Sequence, residues 1–282
     1  MKGRQPKRGP SLLYIIRQIY DSPKLVPILP YDNDALFSKR LKDLYEGGDR
    51  TAELHRILAQ FDPGQTHEEL ADRAEEMIFL ATLLTFGTGR PNRKPRLDFF
   101  LMHILTSSIY IPSYFKAISN IQYKRDLLRA YIQVLGVLIM IRGRPRIDAK
   151  LLMSYTDNPN PPNSNLKNTT AQPNAIGVED VNPWNAIVAE AIHSPDSHVL
   201  KSLRSLIYGA ENYGSLGKGE LIGTYGPDGK ETHTGIAEVD GSVFIRAAGM
   251  MMDTLGWLTY GQKSGDWDRS ALGWDDAWKN ED

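Results

Sequence analysis

Lys124-Arg125-Asp126-Leu127-Leu128-Arg129-Ala130-Tyr131-Ile132-Gln133-Val134-Leu135-Gly136-Val137-Leu138-Ile139-Met140-Ile141-Arg142 decides the fold class. Leu127, Leu128, Tyr131, Val134, Leu135, Leu138 and Ile141 recur at helical spacing, which predicts one long helix with that face in the core. Its apolar run Val134–Ile141 falls well short of the ~20 residues that span a bilayer and is interrupted by Gly136. Arg142-Gly143-Arg144-Pro145-Arg146 ends the helix. The cations suit the helix dipole, or else clamp an anion or carbonyl of a ligand.

Outward from this segment the chain reads as more helices. Leu97–Tyr110 is apolar nearly all round, the pattern of a buried helix, with His103 in its middle. A buried imidazole there is either hydrogen-bonded in the core or a metal ligand. Asp98 stands five residues earlier, too far round the helix to be its partner. Thr66-x-x-Glu69 is a capping box that opens a helix running to Phe86. Gly87–Arg96 reads as an exposed, cation-rich turn or an anion-binding loop. Shorter helices are predicted over Ser11–Tyr20, from Asn33 or Asp34 through Tyr45, and over Thr51–Phe61. His55 and His67 read as surface residues.

Residues 1–10 are basic and read as a disordered tail. Residues 11–282 read as one mostly α-helical, bundle-like domain with long loops, with the Asn- and Pro-rich stretch 157–182 as a possible internal linker. Gly214–Gly241 is Gly-rich and suits a small β-hairpin near 220–240, with His233 exposed. Ser242–Tyr260 is the last long helix. Trp257, Trp267, Trp274 and Trp278 then either seal the core or wall a planar apolar ligand.

The balance of 33 Lys+Arg against 34 Asp+Glu argues against nucleic-acid binding through phosphate neutralisation. With no cysteine, disulfides, thiolate metal sites and cysteine nucleophiles are excluded. No signal-peptide order and no membrane span are legible, so the expectation is a soluble cytoplasmic protein.

His193-Ser194-Pro195-Asp196-Ser197-His198-Val199-Leu200-Lys201 is the second decisive stretch. Ser194 caps, Pro195 fits the first turn and Asp196 favours the dipole of a helix with the stripe Val199, Leu203, Leu206, Ile207 and Ala210. His198 and Lys201 stand three apart and so share a face. Ser202, Ser205 and Gly209 beside them leave room for an approaching group, or form a solvated flank.

Several stretches together resemble the questin oxidase-like family. They include Gly87-Thr88-Gly89-Arg90-Pro91, Arg96-Leu97-Asp98-Phe99-Phe100-Leu101-Met102-His103, Arg142-Gly143-Arg144-Pro145, Leu151-Leu152-Met153-Ser154-Tyr155-Thr156, Asn182-Pro183-Trp184, His198-Val199-x-Lys201 and Gly265-x-Trp267 through Trp278. They follow in order from about Pro10 to the end.

The resemblance implies O2-dependent oxidative ring cleavage of an anthraquinone or related aromatic polyketide in fungal secondary metabolism, formally a Baeyer–Villiger oxidation, with NADPH as co-substrate. It also implies a mononuclear non-haem Fe(II) site. By motif, His103 and His198 are candidate ligands and Lys201 a candidate carbamate, whose formation needs a buried, neutral amine. Arg142, Arg144, Trp267 and Trp274 are the candidates for holding the planar substrate. Family members carry a further His-rich helical segment upstream of these motifs. The sequence here opens at Met1 with the basic stretch and without that segment, so the expectation, where upstream histidines complete the iron shell, is an incomplete site. The alternatives are a non-catalytic or truncated helical binding or partner protein that retains the fold but not a complete site, and a flavin enzyme, whose dinucleotide fingerprint the sequence lacks.

Overall fold

The computed structural model describes residues 3–162 and 182–279. Most of the stretch 157–182 therefore lies outside the described residues. The helices are α1 (Leu12–Asp21), α2 (Phe37–Glu46), α3 (Arg50–Leu58), α4 (His67–Phe86), α5 (Phe99–Ser108), α6 (Tyr110–Ala117), α7 (Ile121–Ile141), α8 (Ala149–Met153), α9 (Pro183–Ala191), α10 (Ser197–Tyr213) and α11 (Val243–Leu255). The mostly α-helical expectation is met. In place of a hairpin near 220–240 there is a tight loop with one antiparallel bridge, Tyr225 to Glu231. Gly226 N–H donates to the Lys230 carbonyl at 2.8 Å across it. Four glycines between 214 and 223 and two more in the turn give the loop too few side chains to build strands.

α4 is the central element. Its second half, Met77–Phe86, is buried on every side, and α1, α5, α10 and α11 all pack on it. One hydrophobic cluster runs from Leu12 to Trp267. The capping box is formed, Thr66 accepting from Glu69 N–H and the Glu69 carboxylate accepting from Thr66 N–H.

Residues 3–10 are docked rather than loose. Arg73, buried in α4, donates to the carbonyls of Arg8, Pro10 and Asp62 and pairs with Glu76 at 2.6 Å. Glu76 in turn accepts the Leu12 N–H at the start of α1. Arg4 pairs with Glu75 at 2.6 Å. The basic residues thus meet acids on α4, and the stretch is not a solvated tail.

The tryptophan-rich end closes the core. Trp274 lies over Gly143 and donates from Nε1 to the Ile28 carbonyl at 2.9 Å. Trp278 donates to the Leu272 carbonyl, and Trp257 is fully buried. Gly143 has φ of 79°, and a Cβ there would sit 2.2 Å from a Trp274 ring carbon. Gly143→Ala is therefore expected to destabilise the fold by about 2–4 kcal/mol in urea denaturation, through strain and overlap together. Gly48→Ala is the control. Its φ is 67° and nothing lies within 4 Å of a Cβ, so only the backbone term of about 1 kcal/mol is expected.

His233 is buried, not exposed. The Gly-rich loop folds back onto α1, and Nε2–H of His233 donates to the Leu13 carbonyl at 3.0 Å. Desolvation drives its pKa down to about 4, against the hydrogen bond to Leu13. An unfolded imidazole titrates near 6.5. The contribution is thus complete above pH 6.5 and is lost as pH falls toward 4, by about 2–3 kcal/mol at pH 4.5. His233→Gln, which keeps a donor but cannot charge, is expected to shrink the stability loss between pH 7 and pH 4.5 by that amount in pH-dependent urea melts.

Candidate functional site

Asp98 forms the base of the site. It is the N-cap of α5, Oδ1 accepting from Phe100 N–H at 2.8 Å and Leu101 N–H at 3.0 Å. Its other oxygen accepts from Nε of Arg142 at 2.7 Å, and both side chains are buried. Desolvation raises the Asp98 pKa even against the Arg142 cation. An Asp directly before an apolar helical run is a cap signal that sequence reading overlooked. Its remote partner Arg142 is not legible locally.

α5 carries His103 one turn beyond Phe99. The helix is not enclosed all round. Leu101, Met102 and Leu105 face α4 and α10, while His103 turns outward and is exposed. The expectation of a buried imidazole is corrected on this point. Nδ1 of His103 lies 2.7 Å from the Phe99 carbonyl oxygen. Since a carbonyl only accepts, Nδ1 bears the proton and Nε2 is left with the lone pair in the neutral ring.

α10 brings in the second imidazole. The helix starts at Ser197 with Asp196 as N-cap, two residues later than the cap expected at Ser194. Asp196 Oδ1 accepts both the backbone N–H of His198, at 2.8 Å, and its Nδ1, at 2.7 Å. Burial works to raise the Asp196 pKa, but these hydrogen bonds hold it below the usual carboxylate range. The carboxylate fixes the His198 tautomer as the carbonyl fixes that of His103. The two rings meet with centroids 5.2 Å apart. Phe99 packs edge-on against both, at 4.8 and 5.1 Å, and the Arg269 guanidinium lies 4.2 Å over Phe99.

A cavity of about 400 Å³ opens beside His103, with Ser107, Tyr131, Val134, Leu138 and Lys201 also in its wall. Val134 of α7 is 59% exposed at this cavity rather than packed in the core, so the buried face of α7 is turned toward Leu128, Ile132, Leu135 and Ile139. Tyr131 donates to the Ile104 carbonyl at 2.9 Å and shares a hydrogen bond with Ser107 at 2.7 Å. Its burial pushes the phenol up to about 12. Lys201 is exposed, so the burial on which its carboxylation was expected to rest is missing. Ser202, Ser205 and Gly209 are buried, and the room beside Gly209 is filled by the Phe244 ring.

The other expected residues stand elsewhere. Arg144 is tied up structurally, its Nη1 donating to the carbonyls of Ile19, Tyr20 and Ser22 at the end of α1. Trp274 packs over Gly143 and lines a further pocket with Tyr31, Arg40 and Met140. Arg142 and Trp267 line a separate cleft with Arg269 and Phe100, at the start of α5. Among the described residues no group of three or more His, Cys, Asp or Glu is placed to hold a metal ion. No helix among them is long and apolar enough to cross a membrane.

The α-helical scaffold thus sets two imidazoles with fixed tautomers against each other, one of them, His103, in the wall of an apolar cavity. The chain belongs to the questin oxidase-like family, whose model matches residues 1–206. The match includes His103, Arg142, Arg144, His198 and Lys201, and ends before Trp267 and Trp274. The family's description suggests an oxidoreductase. No protein of curated function matches the chain.

Asp98→Asn keeps the cap acceptor but leaves the Arg142 cation buried without its counter-charge. Urea denaturation is expected to show a loss of about 3–5 kcal/mol, and Asp98→Asn/Arg142→Met is expected to recover part of it.

Proposed function

We propose that the chain is an O2-dependent oxidoreductase that cleaves a ring of a planar aromatic polyketide, with ferrous iron held by Nε2 of His103 and His198. The observation that carries this reading is the tautomer of the pair. Each Nδ1 is anchored on an acceptor, Phe99 O or Asp196 Oδ1, which leaves the Nε2 lone pair free in two rings whose centroids are 5.2 Å apart, with His103 in the cavity wall. That is the arrangement in which imidazoles bind metal, the second nitrogen donating outward to a carbonyl or carboxylate. Imidazole donors suit iron. Iron bound there supplies open positions for O2 and a route for electrons.

The chain's own residues account for the rest. The apolar wall of Val134 and Leu138 takes the flat face of an aromatic substrate and keeps water from it. Ser107 and Tyr131 offer hydroxyl oxygens at one side of the cavity, where a substrate phenol O–H finds an acceptor. Lys201, exposed at the same wall, lacks the burial that a carbamate needs and instead attracts a substrate phenolate by its charge. NADPH is the proposed source of electrons, on the strength of the family resemblance.

Anaerobic loading with ferrous iron, followed by metal analysis of the desalted protein, tests this. Near-stoichiometric iron is expected for the wild-type chain, and loss of most of it in both His103→Ala and His198→Ala. Val134→Trp, which fills the cavity, is expected to keep the iron and lose O2 uptake with NADPH and a hydroxylated anthraquinone. A folded wild-type chain that retains no iron sinks the reading and leaves the non-catalytic partner protein.

A further inference from the structure

The cavity beside His103 carries positive charge that nothing in the fold balances. Lys201 and Arg204 of α10 stand in its wall among Ile109, Val134, Leu135 and Leu138, and no Asp or Glu is among the described residues that line it. Both cations are exposed, and among the described residues neither forms an ion pair. Asp196, ahead of Lys201 in the chain, is committed to His198 at 2.7 Å. Other arginines of this chain do find a carboxylate. Arg17, Arg56, Arg129 and Arg246 each hold one at 2.5 to 3.2 Å. Two like charges three residues apart on a helix repel, and no acid at helical spacing on α10 relieves these two.

The position of Arg204 says what the charge serves. A groove of about 440 Å³ adjoins the cavity, and Ile109, Tyr110 and Arg204 line both. At this junction the Arg204 guanidinium lies 5.8 Å over the Tyr110 ring. Glu211 is in the wall of the groove but not of the cavity, about 10 Å beyond Arg204 along α10. The charge of Arg204 is therefore offset on the groove side and unopposed on the cavity side. An apolar wall with an unpaired guanidinium at its edge suits a ligand with a flat ring and one anionic group. A carboxylate matches the guanidinium fork in shape, with two parallel N–H···O bonds. A neutral polar group leaves both cations unbalanced.

We infer that Arg204, with Lys201 beside it, is a specificity-determining residue that selects a carboxylate borne on the ring entering this cavity. The aromatic body of the ligand rests on the function proposed above, and the carboxylate is additional to it.

Binding to the full chain before any iron loading tests this without turnover. Equilibrium dialysis at neutral pH and low salt compares 2-naphthoate with 2-naphthamide, which has the same ring and no charge. 2-Naphthoate is expected to bind about 5-fold more tightly, the upper range for an exposed ion pair. Added salt is expected to erase the preference. Arg204→Gln is expected to bring the two ligands to parity. Lys201→Gln is expected to reduce the preference, and serves if Arg204→Gln does not fold. Arg129→Gln, at an exposed cation outside the cavity wall, is expected to keep it. Val134→Trp is expected to weaken both ligands, which places them in this cavity. Equal binding of the two ligands by the wild-type chain, a preference that survives in the folded variants of Arg204 and Lys201, or naphthoate binding that Val134→Trp leaves unchanged overturns the assignment. A preference lost equally in Arg129→Gln overturns it too, because the surface as a whole then supplies the charge. Iron loading that succeeds beside any of these results leaves the proposed function standing, whereas failure of both ligands to bind overturns the assignment and the aromatic cavity together.

Discussion

The buried ion pair between Asp98 and Arg142 is the constraint on which the rest of the site depends. One carboxylate does three things at once. It caps α5, pairs with the cation that ends α7, and sits where Phe99 N–H donates to the Asp268 carbonyl at 2.7 Å. Asp268 N–H donates back to the Leu97 carbonyl at 2.7 Å, so the last segment of the chain is stitched to the start of α5. An ion pair this deep is a poor source of net stability, because desolvation offsets most of its attraction. Its effect is to fix geometry. Any other register of α5 against α7 would leave two charges buried and apart, which is far more costly than the pair is favourable. The rotation of α5 about its axis is thereby set, and with it the direction in which His103 points.

α5 then serves two different surfaces. On one, His103 meets His198 and lines an apolar cavity. On the other, Phe100 and Arg142 join Trp267 in a polar cleft. Phe99 stands between them, in contact with both imidazoles and under the Arg269 guanidinium. The tautomers are fixed by groups on separate helices, a backbone carbonyl of α5 and the capping carboxylate of α10. The capping contact of Asp196 is therefore also a contact that orients an imidazole. A helix start that only capped would need no ring beside it. This one holds His198 by backbone and ring together, which restricts two torsions with one residue.

Much of the fold was legible in the sequence and part of the site was not, for definable reasons. The helices followed from apolar spacing and the Thr66 capping box, because those signals are local. The pairing of His198 with Lys201 on one face followed from the helical period, and the joining of His103 to His198 followed only from family resemblance, since 95 residues separate them. What failed was burial. Leu97–Tyr110 is apolar on nearly every position, so periodicity could not say which side faced the cavity, and His103 was placed in the core. The face of α7 was misjudged for the same reason. Val134 and Tyr131 are apolar or aromatic residues that line a cavity, and a cavity wall has the composition of a core. Arg144 and Trp274 were read as ligand contacts because cations and tryptophans serve both purposes. Only the tertiary structure supplies the three α1 carbonyls and the Gly143 backbone that engage them.

The same reasoning separates stabilising groups from those held ready for something else. Arg73, Arg144, Glu76, Trp274 and Trp278 are all buried and polar, and each has its donors or acceptors met within the chain. They close the fold and ask for nothing further. Nε2 of His103 and His198 has a different standing, because in each ring Nδ1 is the nitrogen already used. Arg142 shows both conditions in one side chain. Its Nε is matched to Asp98, which the fold requires, while its Nη2 is left unmatched. A guanidinium placed only to balance Asp98 would be satisfied most fully by a bidentate pair. Using a single N–H for the carboxylate, with Asp98's other oxygen committed to the α5 cap, is what leaves the second amino group free. The unmatched donor is thus a consequence of the same three-way contact that sets the helix, so the fold and the open hydrogen-bonding capacity share one cause.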